Sequence, residues 1–261
     1  MTGRFKIRRC VLCFFVLLGL QFHHLPGARS ELLDDLCRAE VHSPRVMQSL
    51  IEEAEATGMP PSTLNRLLIK GYHDKDSIRI LSRLLCVIVQ AEEDGLPPEL
   101  LFRKLDEGLG KRAPLMRIVE VVEAKVADMH YVQALLSGGE EPRLEDDNVV
   151  RLTHALSSGL SKKDLNDLFS LVYDVPVEMR VVAAEIKGYG RAAGFDASLL
   201  DQIIASGLAS RSLSDEWSFL IKVISEARKQ NISDQRITAQ AVKVLSRKGS
   251  LGDLNAALGI K

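Results

Sequence analysis

A short pattern of small, apolar and turn-forming positions recurs along the chain and predicts where helices end and begin. Around Gly95 it runs from small Ala91 through Gly95 and apolar Leu96 to Pro98 and Leu101. A glycine takes the left-handed conformation that closes a helix C-terminus, and the apolar residue after it contacts the residue four places before the glycine. Proline suits the first turn of the next helix, where its missing N–H has no helical partner to lose. The stretch therefore predicts a helix end, a tight corner and a second helix.

The same pattern returns elsewhere with spacings of 37, 64, 35 and 37 residues between neighbours. The five corner residues are Gly58, Gly95, Gly159, Gly194 and Asn231. Alanine or glycine precedes each by four places, and Met, Leu, Phe or Ile follows it directly. The sixth residue after each corner is apolar: Leu64, Leu101, Leu165, Leu200 and Ile237. Helix starts are predicted at Pro60–Pro61, Pro97–Pro98, Ser161, Asp196 and Ser233, and the last three can accept an N–H at an N-cap.

Each interval between corners has room for a short helix followed by a longer one. In the long segments the apolar residues step by three and four, as in Ile78, Leu81, Leu85 and Ile88, which is the spacing of one helix face. We expect these helices to start near Asp76 or Ser77, at Pro114, at Pro176 and at Ser214. The fold predicted is all-α, with antiparallel helix pairs stacked as an α-solenoid or an irregular helical bundle and a repeat of about 37 residues.

The interval of 64 residues is too long for one repeat and too short for two. Gly138, Gly139 and Pro142 interrupt the helical pattern inside it. We therefore predict helical repeats over residues 31–137 and 144–261, joined by a linker at residues 138–143.

The N-terminus has the plan of a secretory signal. Four basic residues precede an apolar run from Cys10 to Leu20, and small residues stand at the −3 and −1 positions of a cut before Glu31. Residues 1–30 are thus predicted to be a cleaved signal peptide, and the protein to be periplasmic or secreted. An uncleaved anchor or a buried first helix is the alternative. The mature chain has no later run long and apolar enough to span a membrane.

Residues 1–30 contain five basic residues and no acidic ones. Without them the number of Lys and Arg residues falls from 34 to 29, while the number of acidic residues stays at 35. The net charge of the mature chain is therefore about −6. Nucleic acids and anionic membrane surfaces reward clustered Lys and Arg. We therefore expect no nucleic-acid partner.

The mature chain keeps two cysteines, Cys37 and Cys86. Outside the cytosol such a pair can oxidise to a disulfide. Cys86 lies in the apolar run from Leu84 to Val89, so two buried thiols are the alternative. The sequence leaves both interpretations open, because it does not set the distance between the two residues.

The sequence contains no recognisable catalytic, cofactor or metal motif. The four histidines of the mature chain are isolated from one another. The polar stretch His73–Asp76 favours a turn in which Asp74 or Asp76 caps the next helix. The stretch Gly188–Gly190 lies inside a helical pattern and lacks the third glycine of a dinucleotide site. Trp217, the one tryptophan, is predicted to pack in the core. No catalytic, cofactor or metal residues are therefore assigned.

Residues 95–118 resemble repeats of uncharacterised exported bacterial proteins. The resemblance is carried by a Gly-Leu-Pro helix start followed by Lys, Glu-Gly-Leu, Pro and Arg-Ile. In this chain they are Gly95, Leu96, Pro97, Lys104, Glu107, Gly108, Leu109, Pro114, Arg117 and Ile118. The resemblance implies a helical protein of the bacterial cell envelope and brings no catalytic residues. We expect a non-catalytic binding or scaffolding protein with a protein or peptide partner. The alternatives are a periplasmic hydrolase acting on cell-wall material and an ion-binding structural protein.

Overall fold

The computed structural model describes residues 44–137, 146–170 and 174–260. Within those ranges the chain forms twelve α-helices and one 3-10 turn and has no β-strand. The prediction of an all-α fold is therefore confirmed. The predicted signal peptide (1–30), the predicted linker (138–143) and Cys37 lie outside the described residues.

The chain forms two compact units, which adjoin in sequence between Glu123 and Ala124. The helices of the first unit are α1 (Pro44–Ala56), α2 (Pro61–Gly71), α3 (Lys75–Glu93), α4 (Glu99–Gly110) and the first part of α5 (Leu115–Ser137). In this unit α1 packs on α3, while α2 packs on both α3 and α4. Helices two apart along the chain are thus neighbours in space.

The second unit contains the end of α5 and all later elements. These are α6 (Asp146–Ser157), α7 (Lys162–Ser170), α8 (Val177–Ala192), α9 (Ala197–Ser210), the 3-10 turn (Asp215–Phe219), α10 (Leu220–Lys229), α11 (Asp234–Ser246) and α12 (Leu251–Leu258). Here α8 packs on α6 and α10, and α9 packs on α11. Helix α8 also contacts α7, α9 and the 3-10 turn, so it lies at the centre of the unit.

All five predicted corners are left-handed. The φ angles are +81° at Gly58, +70° at Gly95, +106° at Gly159, +67° at Gly194 and +60° at Asn231. At four of these corners, those at Gly95, Gly159, Gly194 and Asn231, the next residue donates its N–H to the carbonyl five places back, as Leu96 does to Ala91 at 2.9 Å. The same bond joins Leu160 to Ala155, Phe195 to Gly190 and Ile232 to Ala227. These bonds satisfy carbonyls that a helix C-terminus leaves without a partner.

The predicted N-caps are also confirmed. The side chains of Ser161, Asp196 and Ser233 accept backbone N–H groups of α7, α9 and α11 at 2.9–3.4 Å. Asp74 caps α3 by accepting the N–H of Ser77 at 2.8 Å. The polar stretch that starts at His73 is therefore a helix start, as its sequence suggested.

Glycines near the C-termini of several helices make room for the next helix. A Cβ added at Gly190 would stand 2.6 Å from the side chain of Leu200, ten residues later. A Cβ added at Gly71 would likewise stand 2.6 Å from the side chain of Leu81, and one added at Gly108 would stand 2.8 Å from the side chain of Ile118. A real Cβ does not approach another carbon so closely. The apolar residue of the second helix thus fills the space that the missing side chain leaves.

Four further residues of the described ranges are left-handed and were not predicted. One is Gly259, with a φ angle of +77°, and the other three are neither glycine nor asparagine. Arg112, Arg211 and Lys248 have φ angles of +54°, +51° and +58°. They follow α4, α9 and α11, and each is closed by the same backbone bond, as from Ala113 to Gly108 at 2.9 Å. A left-handed conformation costs energy at a residue with a Cβ atom, and these three residues adopt it because the chain turns tightly there.

The helix predicted to open at Ser214 begins as a 3-10 turn and becomes regular only at Leu220. Trp217 lies in this turn and is fully buried, so its predicted packing role is confirmed. Among the described residues no helix combines the length and apolarity needed to cross a bilayer.

Candidate functional site

The second unit has a cleft on its surface. It has a volume of about 440 Å³, within the range of small-ligand pockets. Its walls come from α6, α8, the 3-10 turn and the first turn of α10. The lining residues are Asp147, Arg151, Glu185, Tyr189, Asp215, Ser218, Phe219 and Ile221.

Helix periodicity explains why these side chains share one surface. Asp147 and Arg151 are four residues apart on α6, and Glu185 and Tyr189 are four apart on α8, so each pair projects from one helix face. The two helices approach closely because Gly188 has no side chain. A Cβ there would stand 2.7 Å from the carbonyl oxygen of Ala155 in α6. The absence of a Cβ at Gly188 therefore allows the short distance between α6 and α8.

Arg151 is the centre of the charged groups in the cleft. Its Nε and Nη2 donate to the two carboxylate oxygens of Glu185 at 3.1 and 2.6 Å. Its Nη1 lies 3.0 Å from Oδ1 of Asp215. The Glu185 side chain is only 7% exposed, whereas that of Asp215 is 77% exposed. One carboxylate therefore holds the guanidinium from inside the protein and the other reaches it from the solvent side.

The electrostatic consequences are clear for two groups. The hydrogen bond to Glu185 raises the pKa of Arg151, against the opposing effect of burial. Burial raises the pKa of the Tyr189 hydroxyl, and the negative charge of Glu185 acts in the same direction. Arg151 thus stays charged, and a buried carboxylate is tolerable beside it because the pair is bidentate.

The outer wall of the cleft is aromatic. Phe219, at the end of the 3-10 turn, is 51% exposed. The Nζ of Lys222 lies 4.5 Å from the centroid of its ring. An exposed ring at the mouth of a cleft is available for contact with another molecule.

A second charged cluster joins α7, α8 and α9. Arg191 donates two bonds to the carboxylate of Asp164, at 2.6 and 3.1 Å. Lys187 bridges Asp164 and Asp201 at 3.1 and 2.8 Å. The hydrogen bond from Arg191 is the largest cause of a strongly lowered pKa at Asp164, and burial opposes it. The groups satisfy one another, and the cluster serves to fasten three helices together.

Of the two predicted disulfide residues the structure describes only Cys86, and it does not line the cleft. Cys86 lies in α3 of the first unit, 9% exposed, and its candidate partner Cys37 lies outside the described residues. The predicted disulfide therefore stays a prediction. Within the described part of the chain no group of three or more His, Cys, Asp or Glu residues is arranged to hold a metal ion.

No family model, curated protein or solved structure matches the chain. The resemblance of residues 95–118 to exported bacterial repeat proteins stays an expectation.

The sequence alone did not single out Arg151, Glu185 or Asp215. One signal was present, since Glu185 is the only charged residue in the apolar run from Val181 to Ile186. A carboxylate at a core position needs a partner. The identity of that partner, 34 residues away on another helix, depends on helix packing and is not contained in any local pattern.

Proposed function

We propose that the protein is a non-catalytic binding module of the bacterial cell envelope, built from stacked helix pairs of about 37 residues. In this proposal it holds a protein or peptide partner in the cleft of the second unit. The packing within each unit supports a stacked arrangement. Helices α1 and α3 are neighbours, as are α2 and α4, and the same alternation joins α6 to α8, α8 to α10 and α9 to α11.

One observation carries the proposal, and it is the construction of the cleft. Successive long helices, α6 and α8, and the 3-10 turn that leads into α10 contribute to it in order. Stacked helix pairs expose a row of equivalent helix faces, and proteins of this kind bind partners along such rows. The partly buried Arg151–Glu185 pair gives the floor a set geometry, and exposed Phe219 supplies an apolar contact at the mouth.

A photo-crosslinking experiment tests this function. The crosslinker benzoylphenylalanine replaces Phe219 in one variant, and in the control variant it replaces Ala239, an exposed residue of α11 that does not line the cleft. Irradiation in intact cells should give a discrete protein or peptide adduct at position 219. The partner should also bind the purified wild-type protein. Equal adducts at both positions, or none at either, would contradict a binding role for the cleft.

A cell-wall hydrolase is the second candidate, because Glu185 and Asp215 bring two carboxylates to one guanidinium in the cleft. Hydrolysis of glycosidic bonds uses a pair of carboxylates. Purified protein incubated with envelope polymers should then release soluble fragments, and Glu185→Gln should stop the release. Fragment release that depends on Glu185 would replace the binding proposal with the hydrolytic one.

A further inference from the structure

The charges of the cleft are unbalanced. Three carboxylates line it, those of Asp147, Glu185 and Asp215, against the single guanidinium of Arg151. Because Glu185 and Arg151 form a closed bidentate pair, their charges cancel at the floor. The two aspartates remain at the rim, and Asp215 is 77% exposed. Even with the Lys222 ammonium at the outer wall, the three carboxylates outnumber the cations by one, so the entrance carries a small excess of negative charge beside an apolar wall.

The chain already holds one cation on this wall. The Lys222 ammonium lies over the face of the Phe219 ring, 4.5 Å from its centroid. The negative face of an aromatic ring attracts cations, and an exposed contact of this kind contributes about 0.5–1 kcal/mol. Phe219 is 51% exposed and lies on the same 3-10 turn as Asp215, so part of its apolar surface is accessible to another group beside Lys222.

We infer that the cleft binds a basic side chain of its partner, a guanidinium or ammonium group on an apolar stem. The stem lies against Phe219 and Ile221, and the charged end reaches Asp215 and Asp147 at the rim. The pair between Asp215 and Arg151 does not prevent this, because an ion pair with so exposed a partner is weak and exchanges with other cations. This inference rests on the proposed binding function and names its ligand class.

Trp217 provides a direct measurement. It is the only tryptophan of the chain and lies in the 3-10 turn between Asp215 and Phe219. Its fluorescence should respond when the turn takes up a ligand. The probe is a short peptide with one central arginine flanked by leucine and glycine, and its matched control carries citrulline, the neutral isostere of arginine. Titration calorimetry on the same samples detects binding even where the emission is unchanged.

The arginine peptide should bind at least threefold more tightly than the citrulline peptide, and its affinity should fall with added salt. Asp215→Asn should weaken it by about threefold, the effect of one exposed ion pair. Phe219→Ala should weaken it by a similar factor through loss of the ring. The control Glu226→Gln removes an exposed acid of α10 whose partner is Lys229, and it should leave the affinity unchanged.

The outcomes separate this inference from the function on which it rests. Equal binding of the two peptides, or binding that Asp215→Asn does not alter, overturns the basic-ligand inference while a crosslinked partner at position 219 keeps the binding function. If the free guanidinium compound agmatine binds as tightly as the peptide, the guanidinium chemistry holds and the peptide source is overturned. Failure of both peptides together with absence of crosslinks at position 219 overturns both proposals.

Discussion

The left-handed φ of Gly95 determines the cost of a substitution there. A Cβ at this position would meet nothing within 4 Å, so the cost comes from the backbone conformation and not from crowding. Gly95→Val should lower the free energy of unfolding by roughly 1 kcal/mol or more, because a β-branched residue resists positive φ. Gly95→Asn should cost less, as Asn231 takes the same role in another corner. Denaturant titration of both variants measures the difference, and equal stabilities would contradict a conformational origin.

The free energy of unfolding should depend on pH through the ionisation of Asp164. The pKa of Asp164 is lower in the folded protein than in the unfolded chain, where it is about 3.9. The ionised carboxylate therefore contributes its full stabilisation of the fold above about pH 3.9, and this contribution is lost progressively as the pH falls below that value. Asp164→Asn should lower the free energy of unfolding at pH 7 by about 1–3 kcal/mol, the range for hydrogen bonds to charged groups. The difference from wild type should shrink below about pH 4.

Thermal unfolding from pH 7 to pH 3 measures that difference. The matched control is Asp167→Asn, which removes an exposed neighbour that pairs only at 3.5 Å with Lys163. A gap between wild type and Asp164→Asn that stays constant across this pH range would show that the charge of Asp164 is not what fastens the three helices.

At the scale of elements, the contact between α6 and α8 depends on Gly188. Its added Cβ would collide with backbone atoms of Ala155, which cannot rotate away as a side chain can. Gly188→Ala should therefore lower the free energy of unfolding by about 1–3 kcal/mol. It should also weaken the coupling between Arg151 and Glu185, measured by a double-mutant cycle in each background.

Gly252→Ala is the control for this prediction. Gly252 lies in α12, and its nearest neighbour to an added Cβ is the Ser250 hydroxyl at 3.4 Å. Because alanine favours helices, this change should be neutral or stabilise by up to about 1 kcal/mol. If Gly188→Ala proves as harmless as Gly252→Ala, the close approach of α6 and α8 does not limit stability.

The corners and the cleft differ in how far sequence determines them. A corner such as Ala91–Leu96 closes through bonds between residues at most five apart, so local residue types are enough to predict it. The non-glycine corner at Arg112 escaped prediction because arginine alone does not indicate a left-handed φ. The Arg151–Glu185 pair required the packing of two helices, which depends on the whole second unit.

At the scale of the whole molecule, a disulfide between Cys37 and Cys86 is predicted to form after export and to stabilise the folded protein. It would restrict a loop of roughly fifty residues in the unfolded chain, worth about 4 kcal/mol in the chain-entropy model. Protein isolated from its native cells should therefore migrate differently on gels with and without reductant, and reduction should lower its melting temperature. Mass spectrometry of the same sample should find an N-terminus at Glu31. Two alkylatable thiols in the untreated mature protein would exclude the bridge.

The alternating packing of the helices also bears on how the chain folds and how it resists force. Within each unit the main helix contacts join elements at most two helices apart along the chain. Contacts that are near in sequence close at little entropic cost, so folding should be fast and should start in any hairpin before spreading to its neighbours. Pulled from its ends, such a unit should give way in small successive steps, each the size of a helix pair. A unit of this construction should therefore yield gradually under tension instead of failing in one step.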